Sequence, residues 1–146
     1  MKHYIVIIND LEIRDEIFSA REIIEELFQK QTWLFSKRTP KLKTLAIGDQ
    51  VVVYAAGKNN RCFMGTFTLS SLPALAENNS MPLVRLYPLE CKISKASLWK
   101  EPKPIKELLP QLSFIVDKKN YGLYLRQGLR EIPQSDFEEI VRIDIS

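Results

Sequence analysis

The side chains in this sequence best suited to chemistry are flat rings and cations, and they come together first in "QTWLFSKRTPKLK", residues 31–43. Trp33 stands a few residues ahead of Lys37, Arg38, Lys41 and Lys43, with no acidic residue among them. Rings beside cations are what a nucleotide site needs. The ring stacks a base, at roughly 1–3 kcal/mol per base, while the cations hold the backbone phosphates. Tyr54, Tyr121 and Tyr124 are further candidates for a stacking wall, and Arg126 and Arg130 for phosphate contacts. Each has a plainer reading. Tyr54 and Tyr124 fit core tyrosines, Trp99 fits a packing residue of a proline-rich linker, and Arg130 beside Glu131 fits a surface ion pair. Trp33 is open to both readings, a pocket wall or a core anchor.

Other chemistries lack their parts. The only histidine is His3, so Ser-His-Asp and Cys-His arrangements have no positioned base. Cys62 and Cys91 have no second ligand at metal spacing and read as buried reduced thiols. Five glycines, at 48, 57, 65, 122 and 128, form no phosphate-cradling loop or dinucleotide fingerprint. Glu138 and Glu139 are adjacent on an expected helix, where neighbouring side chains diverge. No enzymatic activity, metal or cofactor is expected; a Lys or Tyr base in a pocket is the form an activity would take.

The elements that must position these residues follow from pattern. With 146 residues, 45% of them apolar, the chain suits one domain, 1–146, closed around its own core. Its longest apolar runs, "YIVII" and "VVVYAA", fall far short of the roughly 20 residues that span a bilayer, so a soluble, cytoplasmic protein with no membrane partner is expected. Charge is uneven. Residues 1–26 carry three basic and seven acidic groups, residues 27–72 seven and one, and residues 73–146 eleven and ten, giving blocks of −4, +6 and +1. The positive central block suits a polyanion.

"HYIVII" reads as a strand ending at Asn9-Asp10. Ile13, Ile17, Ala20, Ile24 and Leu27 then recur at steps of three and four, which predicts amphipathic helix over 11–29, in one piece or as two helices meeting near the capping-box residues Ser19 and Glu22. Trp33 is expected to open a polar basic loop. "QVVVYAAG" and "RCFMGTFTL" read as a hairpin linked through "GKNN", and "LVRLYPLECKI" as an alternating strand with Pro88 at an edge or bulge. A short helix opens near Pro104 and stops at Pro110, "NYGLYL" and "GLREI" flank Arg126-Gln127, and Pro133 opens a closing helix. The sum is an α+β fold, a strongly bent sheet or small barrel of five to six strands with peripheral helices.

The order of these pieces resembles the EVE domain of the PUA-like superfamily, in its small stand-alone form. The resemblance rests on "HYIVIIN" in place of an opening Tyr-Trp strand, Trp33 ahead of a basic loop, "LKTLAIGDQVVVYAAG…CFMGTFTLSS", and "LSFIVDKKNYGLYLRQGLREIPQSDFEEI"; it covers nearly all of residues 4–142. It implies a mixed PUA-like barrel with a pocket related to those in which YTH and methylated-DNA readers hold a modified base. Trp33 and Tyr121 would wall that pocket, Tyr54 would join them, and Asn9 would lie near its rim. Lys37, Arg38 and Arg130 would hold flanking phosphates, with Lys41, Lys43 and Arg126 as further cations. The expected function is a non-enzymatic nucleic-acid-binding module that recognises a methylated or hydroxymethylated base in DNA or RNA. The rivals are an ASCH-like hydrolase of a small modified nucleoside and a protein-interaction module with a vestigial pocket.

Overall fold

Five consecutive apolar residues, Tyr4 to Ile8, suit a strand covered on both faces. A computed structural model, which describes residues 1–77 and 81–142, places them there. β1 (His3–Ile8) pairs in parallel with β5 (Gln50–Ala55) and antiparallel with β9 (Leu129–Ile132). Beyond β5 come β6 (Cys62–Leu69), β8 (Leu89–Pro104) and β4 (Thr32–Phe35), in the order β4-β8-β6-β5-β1-β9, with the short β7 (Ala74–Leu75) also on β8. Register shifts in the β5–β6 and β6–β8 ladders bend this mixed sheet into a curled half-barrel. Gly65 lies at the β6–β8 irregularity, where a Cβ would collide with the Ser97 carbonyl.

Alternation along β1 feeds two cores. Tyr4, Val6 and Ile8 pack with Ile23, Ile24 and Leu27 of α1 (Ala20–Gln29), while Ile5 packs with Val52, Phe63, Phe137 and Ile140 beneath α2 (Ile105–Leu108) and α3 (Gln134–Val141). The second core is tied to α3 by a buried charge. Asp136, 2% exposed, accepts hydrogen bonds from the backbone N–H groups of Ser113 and Phe114, both at 2.9 Å, and from the Ser113 hydroxyl.

Several expectations hold: β1, the β5–β6 hairpin, the helix following Pro104, and α3 after Pro133. Others need correction. Residues 11–18 are not helical but form a hairpin of β2 (Leu11–Ile13) and β3 (Glu16–Phe18), turned by Arg14 and Asp15 at φ 54° and 64°. Two successive positive φ values suit a tight hairpin turn and interrupt a helix. Ile17, assigned to the apolar helix face, is accordingly 73% exposed. The helix signal is sound only from Ser19, whose hydroxyl accepts the Glu22 N–H at 3.1 Å. "TWLF" starts no loop: all four residues are buried and pair with β8 as β4. "LVRLYPLECKI" becomes strand only at Leu89, after a 3-10 turn at Pro82–Arg85, and Tyr121–Tyr124 is likewise a 3-10 turn. Part of "ENNSMP", residues 78–80, lies outside the described residues, as do residues 143–146.

Two predictions concern stability. Asp136→Ala removes the acceptor of two part-buried amides and of the Ser113 hydroxyl and is expected to cost about 1–3 kcal/mol, read as a lower urea midpoint at unchanged slope. Burial pushes the Cys91 thiol from 9.0 up to about 12 and raises the Cys62 thiol and Tyr54 hydroxyl. Groups raised in the folded state leave stability intact below their unfolded pKa. They erode it as pH climbs, because the unfolded chain loses protons that the fold retains. The urea midpoint should therefore fall between pH 9 and 12, and Cys91→Val should make that fall shallower.

Candidate nucleic-acid interface

The parallel pair β1–β5 ends together at Ile8 and Ala55, so both chains must satisfy their backbone groups just beyond. Ala56 N donates to the Ile8 carbonyl at 2.8 Å. The Asn9 Oδ1 accepts the Asp10 N–H at 3.1 Å, and Asn60 Nδ2 donates to the Ala56 carbonyl at 2.9 Å and to Asp10 Oδ1 at 3.2 Å. Gly57, at φ +102°, is where the β5–β6 loop passes Asn9, and a Cβ there would collide with the Asn9 Oδ1. Only glycine allows this approach.

Two segments rise on either side. Past β4 the chain turns at Ser36–Thr39, where Thr39 N donates to the Ser36 carbonyl and Arg38 N to the Ser36 hydroxyl, each at 3.2 Å. Opposite it runs the stretch 125–128, anchored by Ile7 N donating to the Gly128 carbonyl at 3.0 Å. Between them opens a cleft of about 530 Å3 whose lining includes Asn9, Trp33, Phe35, Arg38, Tyr87 and Arg126. That is a volume suited to a small planar ligand. A second cleft, about 420 Å3, adjoins it. It shares Asn9, Ala56, Leu125 and Arg126 with the first and adds Tyr54, Lys58, Arg61 and Tyr121.

The electrostatics are one-sided. No Asp or Glu is among the described residues lining either cleft. Arg38, Lys58, Arg61 and Arg126 have no ion-pair partner among the described residues. A larger cleft, about 710 Å3, lies along β8 and α3 but mixes Glu101, Glu107 and Glu139 with Lys103 and Arg142, so it lacks this bias.

The sequence-derived residues divide. Asn9, Arg38 and Arg126 converge on the first cleft. Trp33 reaches its lining, but the residue is only 2% exposed and its ring packs against Phe67 at 5.6 Å and Phe28 at 6.4 Å. The indole is therefore part of the core beneath the cleft, and it does not face Tyr121, which lines the neighbouring cleft. Tyr54 is 2% exposed and packs on Phe63 at 5.1 Å; burial pushes its hydroxyl pKa up, with the nearby Tyr121 adding to the rise. Arg130 lines neither cleft: its guanidinium lies 5.3 Å from the Phe114 ring and 5.2 Å from the Tyr124 ring, a cation–π sandwich, with no ion pair to Glu131 among the described residues. Lys37, Lys41 and Lys43 are exposed outside both linings.

Sequence reasoning missed Tyr87, Lys58 and Arg61. Tyr87 sits before Pro88 in what reads as a strand, and in the structure it is a partly buried ring, packed against the first core, that lines the first cleft. Lys58 and Arg61 bracket "NN" in a loop read only as a turn, although both contribute to the +6 of the central block.

No protein-family model matches the sequence, and no curated protein does. Solved structures match the fold along nearly the whole chain. Human THYN1, solved in complex with DNA containing 5-methylcytosine, superposes with a TM-score of 0.62 at 16% identity, covering 94% of each chain. The YTH domain of the MRB1 protein from Zygosaccharomyces rouxii, solved with N6-methyladenosine RNA, gives 0.61 at 15% identity, over 95% of this chain and 84% of that one. A hypothetical protein from Leishmania major gives 0.64 at 12%, over 97% and 92%. These likenesses define the fold, which is PUA-like. No helix among the described residues is long and apolar enough to cross a membrane.

The close pass at Gly57 makes a prediction about the site. Gly57→Ala must relieve both a left-handed backbone and the contact with Asn9, so it is expected to destabilise the fold by roughly 1–2 kcal/mol. A 15N-labelled sample should show the Asn9 side-chain amide signals displaced while those of Asn120 stay in place.

Proposed function

We propose that this protein is a non-enzymatic, EVE-type module that binds DNA or RNA and recognises a methylated or hydroxymethylated base held in the first cleft. The observation that carries the reading is the composition of that cleft. An asparagine at the end of β1, with Arg38 and Arg126 and no carboxylate among the described lining residues, faces a hollow floored by buried aromatic side chains. The PUA-like neighbours solved with 5-methylcytosine DNA and with N6-methyladenosine RNA support it by analogy of fold.

The chemistry follows from the parts. A base inside a paired or stacked strand exposes only its edges, so the target is extruded into the cleft at an unstacking cost of a few kcal/mol. Tyr87, partly buried in the cleft wall, offers the ring on which it stacks, and Trp33 and Phe35 behind the wall keep the hollow apolar where a methyl group would rest. Asn9 reads the base edge. Its Oδ1 already accepts from Asp10, which fixes the amide orientation and leaves the Nδ2 hydrogens to donate to a base acceptor. Arg38 and Arg126 hold phosphates at the rim, and the exposed Lys37, Lys41 and Lys43 add long-range attraction.

Fluorescence anisotropy on single-stranded oligonucleotides carrying a plain, methylated or hydroxymethylated base, across a salt series, tests this. One modified strand should bind tighter than its plain counterpart at every salt concentration. Asn9→Ala should remove most of that preference, at a cost of about 1–2 kcal/mol. Arg38→Ala should weaken all strands alike and flatten the salt slope by about one phosphate contact. Asn9 is the better probe than Trp33, whose truncation would open the core. Equal affinity for plain and modified strands at all salts would overturn the reading, and turnover of free modified nucleosides would replace it with the hydrolase.

A further inference from the structure

We infer that the second cleft is a subsite for the nucleotide adjacent to the modified base, so that the unit recognised is a two-nucleotide step in an unpaired stretch. This builds on the proposed function of the first cleft and assigns the neighbouring one a role of its own.

Three observations carry it. First, the clefts share a wall: Asn9, Ala56, Leu125 and Arg126 line both, so occupants of the two would be covalent neighbours along a strand. Their linking phosphate would fall at that wall, where Arg126 is the cation common to both sides. Second, the far side of the second cleft offers a partly buried ring, Tyr121, with the exposed Lys58 and Arg61, and no carboxylate is among the described residues of its lining. An aromatic face with cations around it is the arrangement that stacks one base and holds its phosphate.

Third, the loop presenting these cations is fixed in advance. Asn60 N donates to the Gly57 carbonyl at 3.0 Å, and the Asn60 side chain bonds back to the Ala56 carbonyl at 2.9 Å. Arg61 is held at φ 55°, a left-handed conformation that disfavours a side chain of its kind, while its carbonyl accepts the Ile105 N–H at 3.0 Å. Backbone strain retained at an exposed cation beside a cleft fits a residue whose direction matters more than its local comfort. The same loop contains Gly57, against which Asn9 rests, so the elements that set the base-reading amide and the second cleft are continuous.

The test compares ligands of one and several nucleotides on the full chain. Binding is measured for the modified nucleoside 5′-monophosphate and for pentanucleotides with the modified base at the centre, with each of the four bases placed in turn on its 5′ and 3′ sides. Tyr121→Ala and Arg61→Gln are each expected to weaken the pentanucleotides about tenfold and to leave the monophosphate within about twofold. Tyr121→Phe, which keeps the ring, should bind like the parent. Arg61 is exposed, so its variant reports on the cleft even if Tyr121→Ala fails to fold. Unchanged pentanucleotide binding in Arg61→Gln and Tyr121→Ala, or an equal loss for the monophosphate, would overturn the subsite. A parent protein with no preference for the modified base but sensitive to Tyr121→Ala would instead retain the subsite and refute the base reading.

Discussion

Two parallel strands at the centre of a sheet release their backbone groups at the same end, and those groups must find partners in whatever follows. In this protein that end is Ile8 beside Ala55. The Ile8 carbonyl takes Ala56 N–H, the Ala56 carbonyl takes the Asn60 amide, and the Gly128 carbonyl takes Ile7 N–H. Two loops, the β5–β6 connection and the stretch 125–128, are thus drawn to one place by the same requirement. The two clefts are the space left among them, and their position at the carboxyl ends of β1 and β5 follows from the pairing.

The division of labour between core and surface follows as well. The core on one side of β1 consumes Trp33, Phe28 and Phe67 in mutual ring contacts, which puts a packed apolar layer beneath the first cleft. Arg130, read as a phosphate contact, is instead packed between Phe114 and Tyr124, where it helps secure the strand that supports residues 125–128. The cations remaining at the clefts have no acidic neighbours among the described residues of the lining. In the proposed reading they would supply affinity without sequence information, and Asn9 and the rings the discrimination.

Much of the fold was legible because its strongest elements obey local rules. An apolar pentad has to be a buried strand, Ser19 three residues before Glu22 has to cap a helix, and a proline at 104 or 133 suits a helix start. The errors came where a tertiary constraint overrode a local period. Residues 11–18 have helical spacing, yet Arg14 and Asp15 fold them back as a hairpin; Thr32 to Phe35 precede a basic run, yet their bulk belongs in the sheet. At the site, Asn9, Arg38 and Arg126 could be anticipated from their place after a strand or within a basic run. Tyr87, Lys58 and Arg61 could not, because what makes them neighbours of Asn9 is the curl of the sheet. The pairing of Trp33 with Tyr121 failed for the same reason: each is near Asn9, but on different sides of it.

A 1H–15N titration of the full chain with a single-stranded oligonucleotide bearing the modified base tests the placement of the site most directly. The expected result is saturable shifts at the backbone of Asn9, Gly57 and Gly128 and at the Asn9 side-chain amide, weaker for the unmodified strand. Shifts confined to Trp99 and the β8–α3 cleft, or spread evenly over surface lysines with no change at Asn9, would contradict it.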